Sequence, residues 1–233
     1  MQVRRGDSGT MNALQAQKIS FRYPEGPLVL ERVDLHVQVG ECVALAGPSG
    51  SGKSTLCHVL SGIIPRSIPG QVRGTIRLFG EELSTLSLAE TVRRVGVVFQ
   101  DPDAQLFFPT VEAELAFGLE NLCFPEEEMD RRISAALETV GLSSRRHQAT
   151  KDLSQGQKQL VALAAVLALE PGLLILDEVF APLDERSEAV VQGVIRDYTA
   201  RGGAVLLVEH DPELLAVADR IYRLAQGRLE VAS

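Results

Sequence analysis

One stretch, CVALAGPSGSGKSTL from Cys42 to Leu56, limits the folds open to this chain more than any other. An apolar run reads as a strand and ends on Gly47. Pro48, Ser49, Gly50 and Ser51 separate it from Gly52-Lys53-Ser54, and a helical pattern opens at Thr55 and Leu56. Glycines at both ends let the backbone wrap closely around an anion, and a helix N-terminus adds oriented N–H groups and a positive dipole. The pattern is G-x-x-x-x-G-K-[ST] in its strand-to-helix context, a phosphate cradle in which Lys53 reaches the terminal phosphates and Ser54 offers a hydroxyl to Mg²⁺. Four fixed positions recur by chance in a chain of this length on the order of one time in a hundred. An ordinary glycine-rich turn is the competing reading, and the context disfavours it.

A second stretch, LLILDEVFAPLD from Leu173 to Asp184, drives a fully apolar strand into two adjacent acids, Asp177 and Glu178. Taken alone, the acids either cap the following helix or form a metal-and-base site at the carboxyl end of a strand, where α/β sheets bind ligands. The phosphate cradle favours the second alternative, because nucleotide hydrolysis needs an acid for the Mg²⁺ sphere and a group that positions water. Asp177 is then expected to hold the metal and Glu178 to act as general base.

The chain has 233 residues, with 23% charged and 45% apolar, the balance of a globular domain. The longest apolar run, Leu160 to Leu169, is too short to span a bilayer. A net charge of −8 argues against nucleic acid as the main ligand. Three cysteines, Cys42, Cys57 and Cys123, follow no metal spacing and read as reduced, mostly buried thiols of a cytosolic protein. Residues 1–12 read as a flexible tail with no secretory signal, and 13–230 as a single domain.

Strands are expected at Val33–Val39, Cys42–Ala46, Val72–Phe79, Val95–Phe99, Leu173–Leu176, Ala204–Val208 and Ile221–Leu224. Helical periodicity is clearest at Glu126–Val140 and Gln157–Leu169. The fold class is therefore α/β: a parallel P-loop core sheet carrying an antiparallel β subdomain and a helical insertion at about 101–169.

With DLSQGQKQLVALAAVLALEPGLLILDE leading into the acids, the chain resembles the ATP-binding subunits of ATP-binding cassette (ABC) transporters. LSQGQKQ resembles the family signature, usually LSGGQ. Ser154 reads as a cap, and Ser154, Gln155, Gly156 and Gln157 form a second anion site at a helix start. The resemblance implies that this site completes the ATP site of a second subunit, the same chain or a paralogue, in a head-to-tail dimer binding ATP and Mg²⁺. It implies that Tyr23 stacks on adenine, the competing reading being a core tyrosine. It implies that Gln100 touches Mg²⁺ and water, that His210 contacts the γ-phosphate, and that Asp184 lies in a loop crossing the dimer interface. Departures are Gln155 for a usual Gly, Val179-Phe180 for Pro-Thr, Pro182 for Gly and Leu160 for Arg.

FRYPEG with GVVFQDPDAQLFFPTVEAELAFGLEN is most similar to the energy-coupling factor branch, whose ATPases drive uptake of vitamins, cobalt or nickel. Asp101, Asp103, Glu112 and Glu114 would supply negative charge, and Leu106, Phe107, Phe108 and Phe117 apolar contact, to a helix of a transmembrane coupling subunit. A solvated acidic face is the competing reading. The resemblance further implies a small membrane substrate-binding subunit and a peripheral location on the cytoplasmic face of the membrane. The alternatives are an ATPase of another ABC importer or exporter, or a soluble ABC ATPase. DNA-maintenance members need a long coiled-coil insertion and ribosome-acting members two cassettes, and neither pattern is present. A GTP switch is disfavoured because no N-K-x-D segment follows the cradle.

Overall fold

A computed structural model of the protein describes residues 11–232. In chain order the elements are β1 Asn12–Arg22, β2 Leu28–Gln38, β3 Cys42–Ala46, α1 Lys53–Leu60, the one-turn α2 Ile63–Arg66, β4 Gln71–Leu78, β5 Glu81–Glu82, α3 Leu88–Arg94, β6 Val95–Val98, α4 Val111–Asn121, α5 Glu126–Thr139, α6 Gln155–Leu167, β7 Leu173–Asp177, α7 Glu185–Ala200, β8 Ala204–Val208, α8 Pro212–Leu215, β9 Arg220–Ala225 and β10 Arg228–Ala232.

Six strands in the order β10-β9-β3-β8-β7-β6 form the core sheet, parallel except at the β9–β10 edge. β7 and β8 are buried at every position, as a parallel sheet covered on both faces requires. Their alternate residues serve different clusters. Leu173, Ile175, Ala204, Leu206 and Val208 join α1 and the antiparallel sheet, whereas Leu174, Leu176, Val205 and Leu207 join α4, α5, α6 and α7. The second sheet, β2-β1-β4-β5, is antiparallel.

β1, the first half of β2, β5 and β10 carry no clear strand signal in the sequence. In β1 the buried residues are Ala13, Leu14, Ala16, Ile19 and Phe21, and register shifts on either side of Lys18 break the period of two. β1 also begins at Asn12, inside the expected tail, while residues 1–10 lie outside the described part. The helices expected at 126–140 and 157–169 are α5 and α6, the latter starting two residues earlier because Ser154 caps it. Cys42 and Cys57 are buried and Cys123 is exposed, so two of the three thiols are buried, in keeping with the expectation of mostly buried cysteines.

This topology aligns the carboxyl ends of four neighbouring parallel strands. β3 runs into the Gly47–Ser54 loop, β8 into Glu209 and His210, β7 into Glu178, and β6 into Phe99 and Gln100. That edge is the crevice where open α/β sheets bind ligands.

Candidate functional site

The glycines of the loop are dictated by backbone geometry. Gly47 has φ +154°, and a Cβ there would collide with the carbonyl oxygen of Leu224. Gly52, at φ +102°, is the N-cap of α1 and offers no capping side chain, so the first turn of the helix presents its N–H groups to the crevice. Lys53 is only 6% exposed and folds back over the loop: its ammonium donates to the carbonyls of Gly47 at 3.0 Å and Pro48 at 3.3 Å. It also lies 3.3 Å from the Glu178 carboxylate.

Neither Asp177, which ends β7, nor Glu178, which follows it, caps a helix. The next helix, α7, begins at Glu185 and its N-cap is Asp184, whose carboxylate accepts from the Ser187 N–H at 2.8 Å. The capping reading of Asp177 and Glu178 is thereby excluded, and Asp184, expected from the resemblance at a dimer interface, has a structural duty of its own. Asp177 is 4% exposed and its Oδ1 has no hydrogen-bond partner among the described residues. Burial pushes its carboxyl above the usual carboxylate range, and the Ser54 hydroxyl beside it acts in the opposite direction. An orphaned, buried carboxylate oxygen beside an exposed serine hydroxyl suits a hard cation that keeps part of its water shell. Glu178 sits in the left-handed region at φ +50°, with its N–H donating to the Val208 carbonyl at 3.0 Å. That turn aims its carboxylate back at the loop. The Gln100 amide donates to it at 2.9 Å, which links Gln100, Glu178 and Lys53 in one chain of contacts.

His210 is exposed, and its Nδ1 lies 3.2 Å from Oε1 of Glu209. Glu209 is 3% exposed and accepts from the backbone N–H groups of His210 and Asp211. Sequence reasoning missed it, since an acid between a strand and a histidine carries no spacing signature. Tyr23 is no core tyrosine. The residue is 36% exposed, its ring edge-on to Phe21 at 4.7 Å between centroids, and its hydroxyl is 3.1 Å from the Thr55 hydroxyl at the start of α1.

The signature segment opens α6 with a capping box: Ser154 Oγ accepts from the Gln157 N–H, and the Gln157 side chain accepts from the Ser154 N–H. Ser154 and Gln155 are exposed, and Gly156 packs against the Pro182–Leu183 backbone. The acidic run is less available than its charge suggests. Asp101 caps the short turn Pro102–Ala104, and Asp103 bonds to Gln155 and Lys158. Glu112 pairs with Arg146 and His147. Glu114 is buried and accepts from the N–H groups of Phe107 and Phe108. The expectation that all four acids face a partner is corrected for Glu114 alone, which is buried under its own loop; Asp101 and Asp103 stay exposed and Glu112 half-exposed while also bonding within the domain. The aromatic part differs. Phe107 is 76% and Phe117 46% exposed, with Phe108 packed on Phe117, while Leu106 packs partly into the helical core.

The family model described as ABC transporter matches residues 30–181, from within β2 to just past Glu178. The chain belongs to the ABC transporter family. A putative ABC transporter ATP-binding protein of Pyrococcus horikoshii is 41% identical over 94% of this chain and 78% of its own length. The energy-coupling factor transporter ATP-binding protein EcfA of Methanocaldococcus jannaschii is 36% identical over the same shares. Among solved structures, cbiO1 of Clostridium perfringens, part of the ABC transporter complex cbiONQ, superposes with a TM-score of 0.81 at 30% identity, covering 94% of this chain and 87% of that one. As an ABC ATPase the domain binds and hydrolyses ATP. Among the described residues no helix is long and apolar enough to cross a membrane.

Proposed function

We propose that this ABC domain is the ATP-hydrolysing subunit of an energy-coupling factor importer. It works as a head-to-tail dimer with a second copy or a paralogue, on the cytoplasmic face of the membrane. Its further partners are a transmembrane coupling subunit and a small membrane substrate-binding subunit. The relatives named for energy-coupling factor and cbiONQ transporters support the branch. The observation that carries the chemistry is the contact chain from Lys53 through Glu178 to Gln100, drawn from three separate strand ends.

Lys53 and the first N–H groups of α1 bind the terminal phosphates, and Tyr23 holds the base at the edge of the β subdomain. Mg²⁺, bound with ATP, supplies charge neutralisation at the phosphates; Ser54, Asp177 and Gln100 would hold it, Asp177 through its orphaned Oδ1. Glu178 accepts the proton of the attacking water, and Gln100 keeps its carboxylate turned toward the loop. Glu209 fixes the His210 ring through Nδ1, leaving Nε2 to face the γ-phosphate. Ser154 and Gly156, at the exposed start of α6, serve the ATP site of the partner, a reading supported by the likeness of LSQGQ to the family signature.

Glu178→Gln is expected to keep ATP binding, to lower hydrolysis by roughly 10²- to 10⁴-fold, and to hold a nucleotide-bound dimer. Steady-state turnover and sedimentation with and without ATP measure the two effects. Unchanged turnover removes Glu178 from the reaction, and an unchanged mass with ATP removes the homodimer.

A further inference from the structure

Asp103 joins two segments 52 residues apart in sequence. Its Oδ2 accepts from the Gln155 amide at 2.7 Å, and its Oδ1 from the Lys158 ammonium at 2.6 Å. Gln155 and Lys158 are three residues apart at the start of α6, so they share one helix face. Asp103 is itself held, since its N–H donates to Asp101 Oδ1 at 3.0 Å. A third α6 side chain reaches the same segment: the Gln159 amide donates to the Phe99 carbonyl at 2.9 Å. Gln105 closes the loop from within, accepting from the Phe99 N–H and donating to the Val97 carbonyl. Residues 99–105 are thus strapped to the first turns of α6, and Gln100, which contacts Glu178, lies inside the strapped stretch.

The first turn of α6 needs such a strap. Its buried apolar positions begin at Leu160, whereas Ser154 and Gln155 are exposed and the capping box only satisfies the turn's own N–H groups. Lateral restraint comes from Gly156 against Pro182 and from the bonds to Asp103. Lys158 is 17% exposed, and Asp103 is its only carboxylate partner among the described residues. Hydrogen bonds from Gln155 and then Lys158 hold the Asp103 carboxyl below its ordinary range, so it is ionised at neutral pH.

We propose that Asp103 is a positioning residue: a clasp that sets the angle of the α6 N-terminus, and so the register in which Ser154 and Gly156 meet the γ-phosphate of a partner subunit. Gln155, where the family commonly has glycine, is one jaw of the clasp and Lys158 the other. The clasp also ties that angle to the segment bearing Gln100, so the two half-sites of one protomer move together. This inference rests on the composite dimer site proposed above.

The test uses the full chain in the Glu178→Gln background, with three readouts: affinity of the protomer for a fluorescent ATP analogue, ATP-driven dimerisation by sedimentation, and Tm. A dimer contains two clasps. Asp103→Ala is expected to weaken each site about fivefold, and therefore dimerisation about 25-fold, while protomer affinity for nucleotide stays within about twofold. Asp103→Asn, which keeps the bond from Gln155 and loses the charge facing Lys158, should fall between. The reversed pair, Asp103→Lys with Lys158→Asp, should restore most of the dimerisation, because the Gln155 amide can accept as well as donate. Normal dimerisation of Asp103→Ala overturns the clasp alone. So does a loss that the reversed pair fails to rescue and that follows Tm and protomer affinity downward. If Glu178→Gln itself, with Asp103 intact, fails to dimerise with ATP, the composite site falls and takes the clasp with it.

Discussion

Lys53 concentrates more of the site on one side chain than any other residue: two loop carbonyls and the Glu178 carboxylate lie within 3.3 Å of its ammonium. A charged donor held in this way is preorganised, and phosphate oxygens entering the loop replace neutral carbonyls with anionic acceptors. Charge-assisted bonds of this kind contribute about 1.5–3 kcal/mol each, so Lys53→Ala is expected to weaken ATP binding roughly 10- to 100-fold. Equilibrium titration with a fluorescent ATP analogue measures it, and undiminished affinity would remove the loop from the nucleotide site. Lys53 was legible in the sequence because spacing alone defines its role. Glu209 was not, because satisfying two backbone N–H groups at a strand end leaves no periodic trace.

At the scale of elements, α4 shows how a buried acid organises a loop. Glu114 projects from the first turn of α4, near the positive end of the helix dipole, and takes the N–H groups of Phe107 and Phe108, both at 2.8 Å. The turn that displays Phe107 is built on that carboxylate. Glu114→Ala leaves two backbone donors without their acceptor and is expected to cost about 2–3 kcal/mol, read as a lowered midpoint in urea unfolding with an unchanged m-value. A shift under about 0.5 kcal/mol, the range of ordinary surface substitutions, would mean that water serves those donors equally well. Charge pattern alone suggested that Glu114 faces a partner, since sequence does not distinguish a solvated acid from one folded under its own loop. The same limit hid β1. Its bulges near Lys18 break the alternation that reveals a half-buried strand, whereas the unbroken apolar runs of β3, β7 and β8 announced the parallel core. Cap chemistry was only half readable: Ser154 read as a cap while its reciprocal bond with Gln157 appears only in the structure, and Asp184 as the cap of α7 was not separable from a loop acid.

On the scale of the whole molecule, the importer proposed for this domain seats its transmembrane partner on the domain's surface. The part best fitted to receive it is aromatic rather than acidic. Asp101 and Asp103 are tied into the domain, and reversing Asp103 would disturb α6, so a charge-reversal test there would confuse docking with dimerisation. Phe107 has no such duty, since its backbone N–H is bonded while 76% of the residue's surface stays in water. Beside it in sequence Phe108 packs on Phe117, itself 46% exposed, so exposed aromatic surface follows closely in the chain on the segment that carries Gln100. Burying such an anchor under a partner helix contributes 2 kcal/mol or more at interface centres, so Phe107→Asp should weaken assembly by at least about 30-fold. Nucleotide affinity, ATP-driven dimerisation and Tm of the isolated chain should stay unchanged, because the side chain supports none of them. The measurement is co-purification of the chain with its membrane subunits from detergent, followed by uptake in cells. Full assembly and transport by Phe107→Asp would place the transmembrane partner elsewhere on the domain, and the route from partner to Gln100 would have to begin at another face.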